Sequence, residues 1–380
     1  MYESAPSDQS LVLFKGYKDE VGAASMKLGL GLYKSTLTAK NFAFARQAGA
    51  THIVAQLVDY IRGDNPRLTN DYHRGWGETR NQDKPWTYEM LAALQKEIAS
   101  HGLTLEAIEN LDPSHWYDVL LDGPRRDQQL ESIEQLIRNM GKLGIPILGY
   151  YFSLAGVWGW NLAPVGRGDA NSVVFDAEKM DLSMPIPAGM VWNMSYADPI
   201  PGATVSGVGR EEMWQRLQYF LDVLLPVAEE NNVRLVAHPD DPPLPELRGT
   251  ARLFYTASEY EKLFKVNASP ASGFECCLGT LQEMPDSDVY DLVDRYSKNG
   301  RIGYIHFRNV IGKVPHYREA FVDEGDLDMV RIIQILKKNN YEGVLIPDHT
   351  PEMSTASGWH AGMAFALGYM RGVIQTLERS

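Results

Sequence analysis

Cysteine is nearly absent from this chain: there are two in 380 residues, and those two, Cys276 and Cys277, are adjacent. Sequence neighbours cannot tie distant parts of a fold together, so a disulfide framework is excluded and any role for the pair is local. A long apolar run is also missing. No stretch approaches the roughly 18 apolar residues that suggest a bilayer-spanning helix. The first 25 residues, MYESAPSDQSLVLFKGYKDEVGAAS, lack the basic start and apolar core of a secretion signal. The chain is therefore expected in the cytoplasm and away from membranes. Positive charge is in deficit, with 36 Lys and Arg against 49 Asp and Glu for a formal net charge of −13. No basic cluster offsets that balance locally, which argues against a nucleic acid partner. Low-complexity tracts are absent too, and 44% hydrophobic content is enough for a large core.

What is present is a repeated rhythm of short apolar run, polar loop and amphipathic helix. Strands are expected at Met26–Leu32, His52–Leu57, Leu103–Ile108, Ile145–Phe152, Arg234–Ala237, Ala271–Cys276, Arg301–Phe307 and Gly343–Pro347. The helices that follow them are expected at Ala39–Gln47, Tyr88–Ser100, Arg126–Leu143, Glu211–Asn231, Glu259–Phe264, Asp288–Lys298, Asp326–Asn339 and Met363–Leu377. In the seventh unit, Leu327, Val330, Ile332, Ile333 and Ile335 supply the apolar face of the helix. Eight such units without a glycine-rich nucleotide loop after the first strand favour a closed (β/α)8 TIM barrel over two doubly wound domains. One domain is expected over residues 1–380, with an N-terminal extension at 1–25. Two excursions interrupt it: a polar, glycine-rich one at Asp59–Lys84, and an aromatic-rich one at Ser153–Val208 that reads as a lid rather than a spacer.

In a parallel barrel, reacting groups collect where strands end. Glu109, Tyr150, Tyr151, His238, Cys277, His306, Asp348 and His349 all fall there. Four consecutive strands each offer one donor for a divalent cation: His238, Cys277, His306 and Asp348. Imidazole nitrogen, thiolate and carboxylate converging in one mouth can displace an ion's water. Each has a plainer reading as well. A histidine at a strand end can be a hydrogen-bonded structural residue, the cysteines small buried apolar groups, and Asp348 a turn cap. Alternation sends Cys276 and Cys277 to opposite faces, so at most one reaches the mouth. Asp240 and Asp241 can shape the loop HPDDPPLP, and Trp158, Trp160 and Trp192 can pack within the lid or touch a ligand.

The segments AHPDDPP, GFECCLGT, IHFRNV, GDLDM and PDHT, in that order and spacing, resemble the metal-dependent D-mannonate dehydratases. The barrel of that family is similar to that of xylose isomerase. The match is densest over residues 232–350, and LEAIENLDPS resembles the family's third-strand segment. The resemblance implies one divalent ion, commonly manganese, on His238, Cys277, His306 and Asp348, with His349 as an acid/base group. It also implies loss of water from D-mannonate to give 2-keto-3-deoxy-D-gluconate, and a homodimer. On ligand softness the same donors would suit zinc, and iron or cobalt are further candidates. Arg308 is expected to clamp a sugar-acid carboxylate through its planar fork. Glu109, Tyr151, Asn309 and His360 are expected to complete the substrate surface.

The sequence departs from the family pattern in three places. HTPEMSTASGWHAGMAFALGYMRG stands where a tyrosine-bearing segment is usual, with Met363 near the tyrosine's position and His360 the nearest ionisable group. Phe321 or Val322 stands in place of a histidine, and Gly31–Lys34 lacks a tryptophan. A sugar isomerase, epimerase or lyase acting on a related polyhydroxy substrate with the same metal and base is the alternative activity, and a non-catalytic sugar-binding protein is a third class.

Overall fold

The computed structural model describes residues 26–58, 79, 86–198 and 200–379. The extension 1–25 and, apart from Thr79, the excursion 59–84 lie outside the described residues. Eight parallel strands close into a barrel: β1 (Lys27–Leu32), β2 (His52–Gln56), β3 (Thr104–Glu109), β4 (Ile147–Tyr150), β5 (Arg234–Ala237), β6 (Ser272–Cys277), β7 (Ile302–His306) and β8 (Val344–Ile346). Each pairs with its successor, and β8 returns to β1 through Lys27↔Val344 and Leu28↔Leu345. The principal helices between and after the strands are α1 (Ala39–Gln47), α2 (Tyr88–Ser100), α3 (Arg126–Leu143), α4 (Arg210–Glu230), α5 (Ala257–Val266), α6 (Val289–Lys298), α7 (Met329–Lys338) and α8 (Gly358–Glu378). The barrel expected from the sequence is the observed fold. Among the described residues, no helix is long and apolar enough to cross a membrane.

Alternation along the strands both packs the barrel and aims the site. Val54, Ala107, Ile147, Val236, Tyr304, Val344 and Ile346 form a buried cluster inside it. Two residues on, in the same phase, Ala107 leads to Glu109, Val236 to His238, Tyr304 to His306 and Ile346 to Asp348. The cysteines obey the same rule. Cys276 pairs with Ile305 and packs in the outer core, whereas Cys277 pairs with His306. Between the pairs Phe274↔Ile302 and Cys276↔Ile305, β7 carries one extra residue, a bulge that resets its phase. Gly303 sits in it, where a Cβ would stand 2.4 Å from Cγ1 of Val236.

α7 shows how the outer layer holds. The Asp328 carboxylate accepts from the Val330 and Arg331 amides and satisfies two otherwise unpaired donors. Met329, Ile332, Ile333 and Leu336 are buried at helical spacing, each contributing about 1.5–3 kcal/mol relative to exposure. Of the face expected from the sequence, Val330 and Ile335 are only half-buried, and Leu327 is buried just before the helix. α8 begins at Gly358 rather than Met363.

Two connections at the mouth join in one antiparallel sheet. The segment after β4 contributes strands Trp160–Pro164 and Asn171–Asp176, and the segment after β7 contributes the hairpin Asn309–Lys313 and His316–Ala320. His316–Ala320 pairs with Asn171–Asp176 through Tyr317↔Phe175, so the connections are hydrogen-bonded to each other. The hairpin was not expected from the sequence, which places no strand between Phe307 and Asp326.

Candidate active site

A cavity of about 70 Å3 opens at the carboxyl ends of the strands. Glu109, His238, His306 and Asp348 line it from the barrel, and Tyr33, Tyr151, Val157, Trp160 and Trp192 line it from the connections. Trp158 is buried beside it, with the Arg248 guanidinium 3.9 Å from its ring centre.

His238, Cys277 and His306 each offer one donor atom, all within 4.8 Å of one another. The carboxylate of Asp348 adds Oδ2, 3.3 Å from Nδ1 of His306. Nδ1 of His238 lies 2.6 Å from the Pro239 carbonyl, a contact that fixes the ring and leaves Nε2 facing the cluster. Around these donors stand the buried carboxylates Glu109 and Glu275. Burial and the Glu275 charge raise Glu109 to about 6. Burial alone would raise the Cys277 thiol, but Arg308 and hydrogen bonds from His238 and His306 hold it well below its usual value. Burial opposes charge on His238, yet Glu275 and Cys277 outweigh it and raise that group to about 9. The common cause is an excess of buried negative charge. Nδ1 of His306 and Oε1 of Glu275 are buried without a hydrogen bond. Soft and hard donors, excess negative charge and unsatisfied buried atoms together fit a divalent cation.

His349 stands beside this cluster, about a quarter exposed, with its ring 5.3 Å from that of Trp160. Its Nδ1 is 2.5 Å from Oε1 of Glu319, and its Nε2 is 3.0 Å from Oδ2 of Asp348. Burial opposes charge on the ring, but Asp348 and Glu319 outweigh it and raise His349 to about 10. Glu319 comes from the mouth hairpin, so the mouth sheet and the end of β8 hold this imidazole between them.

The model of the D-mannonate dehydratase (UxuA) family matches residues 26–380. The chain belongs to the D-mannonate dehydratase family. It is 29% identical over 314 residues to a mannonate dehydratase of Oceanobacillus iheyensis, covering 77% of this chain and 86% of that one. The crystal structure of mannonate dehydratase from Streptococcus suis superimposes with a TM-score of 0.72 at 25% identity, covering 94% and 95% of the two chains. A xylose isomerase domain protein from Planctomyces limnophilus shares the fold alone, with a TM-score of 0.55 at 11% identity over 94% of this chain and 100% of that one.

Three expected site residues are placed differently from what the sequence suggested. Arg308 reaches the cavity, but its guanidinium is already engaged. It donates to Asp241 at 2.6 Å, Glu283 at 3.0 Å and the Thr280 hydroxyl at 2.9 Å, with Asp348 and Glu319 at 3.4 and 3.5 Å. Gly279 makes room for it, since a Cβ there would lie 2.3 Å from Nη1. In this structure the guanidinium expected to clamp a substrate carboxylate is shared among buried protein carboxylates. Asn309 turns away from the cavity. Its Nδ2 donates to the Leu327 carbonyl, and its Oδ1 accepts from the Val310 and Leu327 amides, so it pins the loop before α7 instead of facing a substrate. His360 lies in the first turn of α8, with Nδ1 2.6 Å from Ser357 Oγ and Nε2 3.0 Å from Asn41 Oδ1, outside the cavity lining. It does not stand in for the family's tyrosine, and Met363, Phe321 and Val322 are buried.

Tyr151 does line the cavity, but its hydroxyl is held from behind by Arg252 and the Asp241 amide. Arg252 is fully buried and paired with Asp240 at 2.7 Å, so both loop aspartates serve this scaffold. Glu275, Glu319 and Tyr33 were missed. In GFECC the cysteines draw attention from the glutamate that shares the inward phase of Cys277. The alternation in NVIGKVPHYREA was the available signal for the hairpin that carries Glu319.

Proposed function

We propose that this chain dehydrates D-mannonate to 2-keto-3-deoxy-D-gluconate, using one divalent cation on His238, Cys277, His306 and Asp348. Manganese is the favoured ion, with zinc, iron and cobalt as alternatives. The observation that carries the reading is His349, an imidazole held by two carboxylates at the edge of a His, Cys, His, Asp donor set beside the cavity at the barrel mouth. When bound, the ion would supply Lewis-acid polarisation of the substrate carboxylate and its neighbouring hydroxyl. The remaining chemistry belongs to the chain. Glu319 faces Nδ1 of His349 and Asp348 faces Nε2; with Asp348 turned to the cation, Nε2 would be the nitrogen that exchanges a proton with the substrate. The reaction removes hydrogen from C2 and hydroxyl from C3 as water, and the resulting enol becomes the 2-keto product. Tyr151, Trp160 and Trp192 wall the cavity and limit water around the reacting carbons. Glu109 borders its floor and is a candidate for contact with a substrate hydroxyl.

The test is D-mannonate turnover by manganese-loaded protein, with product measured for wild type and His349→Ala. Product from the wild type that vanishes in the variant is the expected result. No product from protein carrying one ion per chain would discard mannonate. A metal-dependent isomerase or epimerase of a neutral sugar is the second reading, favoured by one observation: the guanidinium of Arg308 is spent on protein carboxylates. Turnover of neutral sugars in place of sugar acids would select it.

Three wider readings go with this proposal. Residues 1–380 form one catalytic barrel domain with the extension 1–25, and residues 153–208 act as a lid through the mouth sheet. The enzyme works as a homodimer, which sedimentation would test. It acts in the cytoplasm on a small sugar acid, without nucleic acid or membrane partners.

A further inference from the structure

Tyr317, two residues before Glu319 in the mouth hairpin, is buried, and the proposed reaction gives it no part. It ends an aromatic row across the mouth sheet. Trp160 and Tyr317 both pair with Phe175, and the Phe175 and Tyr317 rings stack with centres 5.2 Å apart. The Tyr317 hydroxyl accepts from Nε1 of Trp160 at 2.9 Å and donates to Oδ1 of Asp241 at 2.9 Å. That direction is fixed, since an indole N–H can only donate. The other Asp241 oxygen accepts from Arg308 at 2.6 Å and from Thr280 at 3.0 Å. Arg308 in turn approaches Oε1 of Glu319 at 3.5 Å, and the same oxygen lies 2.5 Å from Nδ1 of His349. Trp160 closes the circuit, with its ring centre 5.3 Å from that of His349 and the two planes inclined by 67°.

We propose that Tyr317 is a positioning residue for His349 and acts through Trp160. The inference rests on the reading of His349 as the acid/base group. Once Asp348 faces a cation, the contact of Nδ1 with Glu319 is the polar hold that remains on this imidazole, and a ring held at one nitrogen can still swing about that contact. The indole of Trp160 blocks the swing only while it is itself fixed. Trp160 lines the cavity and is half-buried, so packing leaves it partly free, and its hydrogen bond to Tyr317 supplies the restraint. Tyr317 is anchored in its turn by Asp241, whose charge makes that hydrogen bond one of the stronger kind. Misplacing a reacting group by about 1 Å can cost about 100-fold in rate. Such a loss falls on kcat, because the surfaces that bind substrate stay in place.

The experiment compares wild type, Tyr317→Phe, Trp160→Phe and the double variant. Tyr317→Phe keeps a ring stacked on Phe175 and removes only the hydroxyl. Steady-state kinetics on D-mannonate give kcat and KM. Imidazole NMR signals, recorded with diamagnetic Zn2+ in place of Mn2+, report on His349, whose signal is the one missing from His349→Ala. Tyr317→Phe is expected to lower kcat about tenfold with KM near the wild-type value, and to move the His349 signal. The double variant should be no slower than Trp160→Phe, because both changes cut one connection. Wild-type kcat and an unmoved His349 signal in folded Tyr317→Phe overturn the inference, as do single effects on kcat that multiply in the double variant. Should Tyr317→Phe not fold, Trp160→Phe decides, and wild-type kcat in that variant overturns the inference. If wild type turns over no D-mannonate while Tyr317→Phe still moves the His349 signal, the mannonate reading falls and the positioning role stands.

Discussion

Replacing Arg308 by lysine separates two accounts of the mouth. The guanidinium makes three hydrogen bonds, to Asp241, Glu283 and Thr280, and approaches two more carboxylates while almost fully buried. A lysine ammonium is a compact point charge that can keep the Asp241 contact but cannot span the fork. Hydrogen bonds to charged groups contribute about 1.5–3 kcal/mol each, so losing two costs roughly 3 kcal/mol after partial readjustment. Arg308→Met removes the charge altogether and leaves its partners without compensation, at a cost of about 3–5 kcal/mol. Denaturant unfolding of the ion-loaded protein measures both, and the melting temperature of Arg308→Lys should fall by roughly 4 °C. The competing account makes Arg308 a clamp on the substrate carboxylate. It would leave stability at the wild-type level and raise only KM. Wild-type stability in Arg308→Lys would refute the hub described here.

The other expectations are independent of that one. His349→Ala should lower kcat by a factor of about 100 to 10,000 with ion content and melting temperature unchanged, measured by product formation and metal analysis. Cys277→Ser should reduce ion affinity, read by calorimetry. In the wild type that affinity should fall as pH is lowered, because thiol and imidazoles must lose protons to bind and acid restores them. Ile333→Ala, in the buried stripe of α7, should cost about 2–5 kcal/mol in unfolding free energy while the protein still binds one ion per chain.

The barrel was legible because its signal is local. Each strand is a short apolar run before a turn, and each helix shows its stripe, as at Ile332, Ile333 and Leu336. The placement of His238, His306 and Asp348 at the mouth followed from the same alternation, since each lies two residues beyond an inward-facing core residue. What escaped depends on distant pairing. Glu319 matters only because its hairpin folds back over the end of β8, and nothing near it in sequence marks that contact. Arg308 was legible as a cation at the mouth, but its occupation by Asp241 and Glu283 joins segments from three separate strands' ends. The bulge at Gly303 was likewise invisible to a strict period of two, although it is what returns His306 to the inward phase.

The mouth sheet sets an order of assembly. Its two halves are far apart in the chain, as the hydrogen bond from the Ser172 hydroxyl to the Glu319 carbonyl shows, spanning 147 positions. Closing so long a loop is costly until the barrel has brought β4 and β7 to the same rim, so this sheet should form after the barrel core. A newly closed barrel would then hold His238, Cys277 and His306 in place while Nδ1 of His349 still lacked Glu319. During folding, the centre would gain its capacity to hold an ion before its capacity to move a proton.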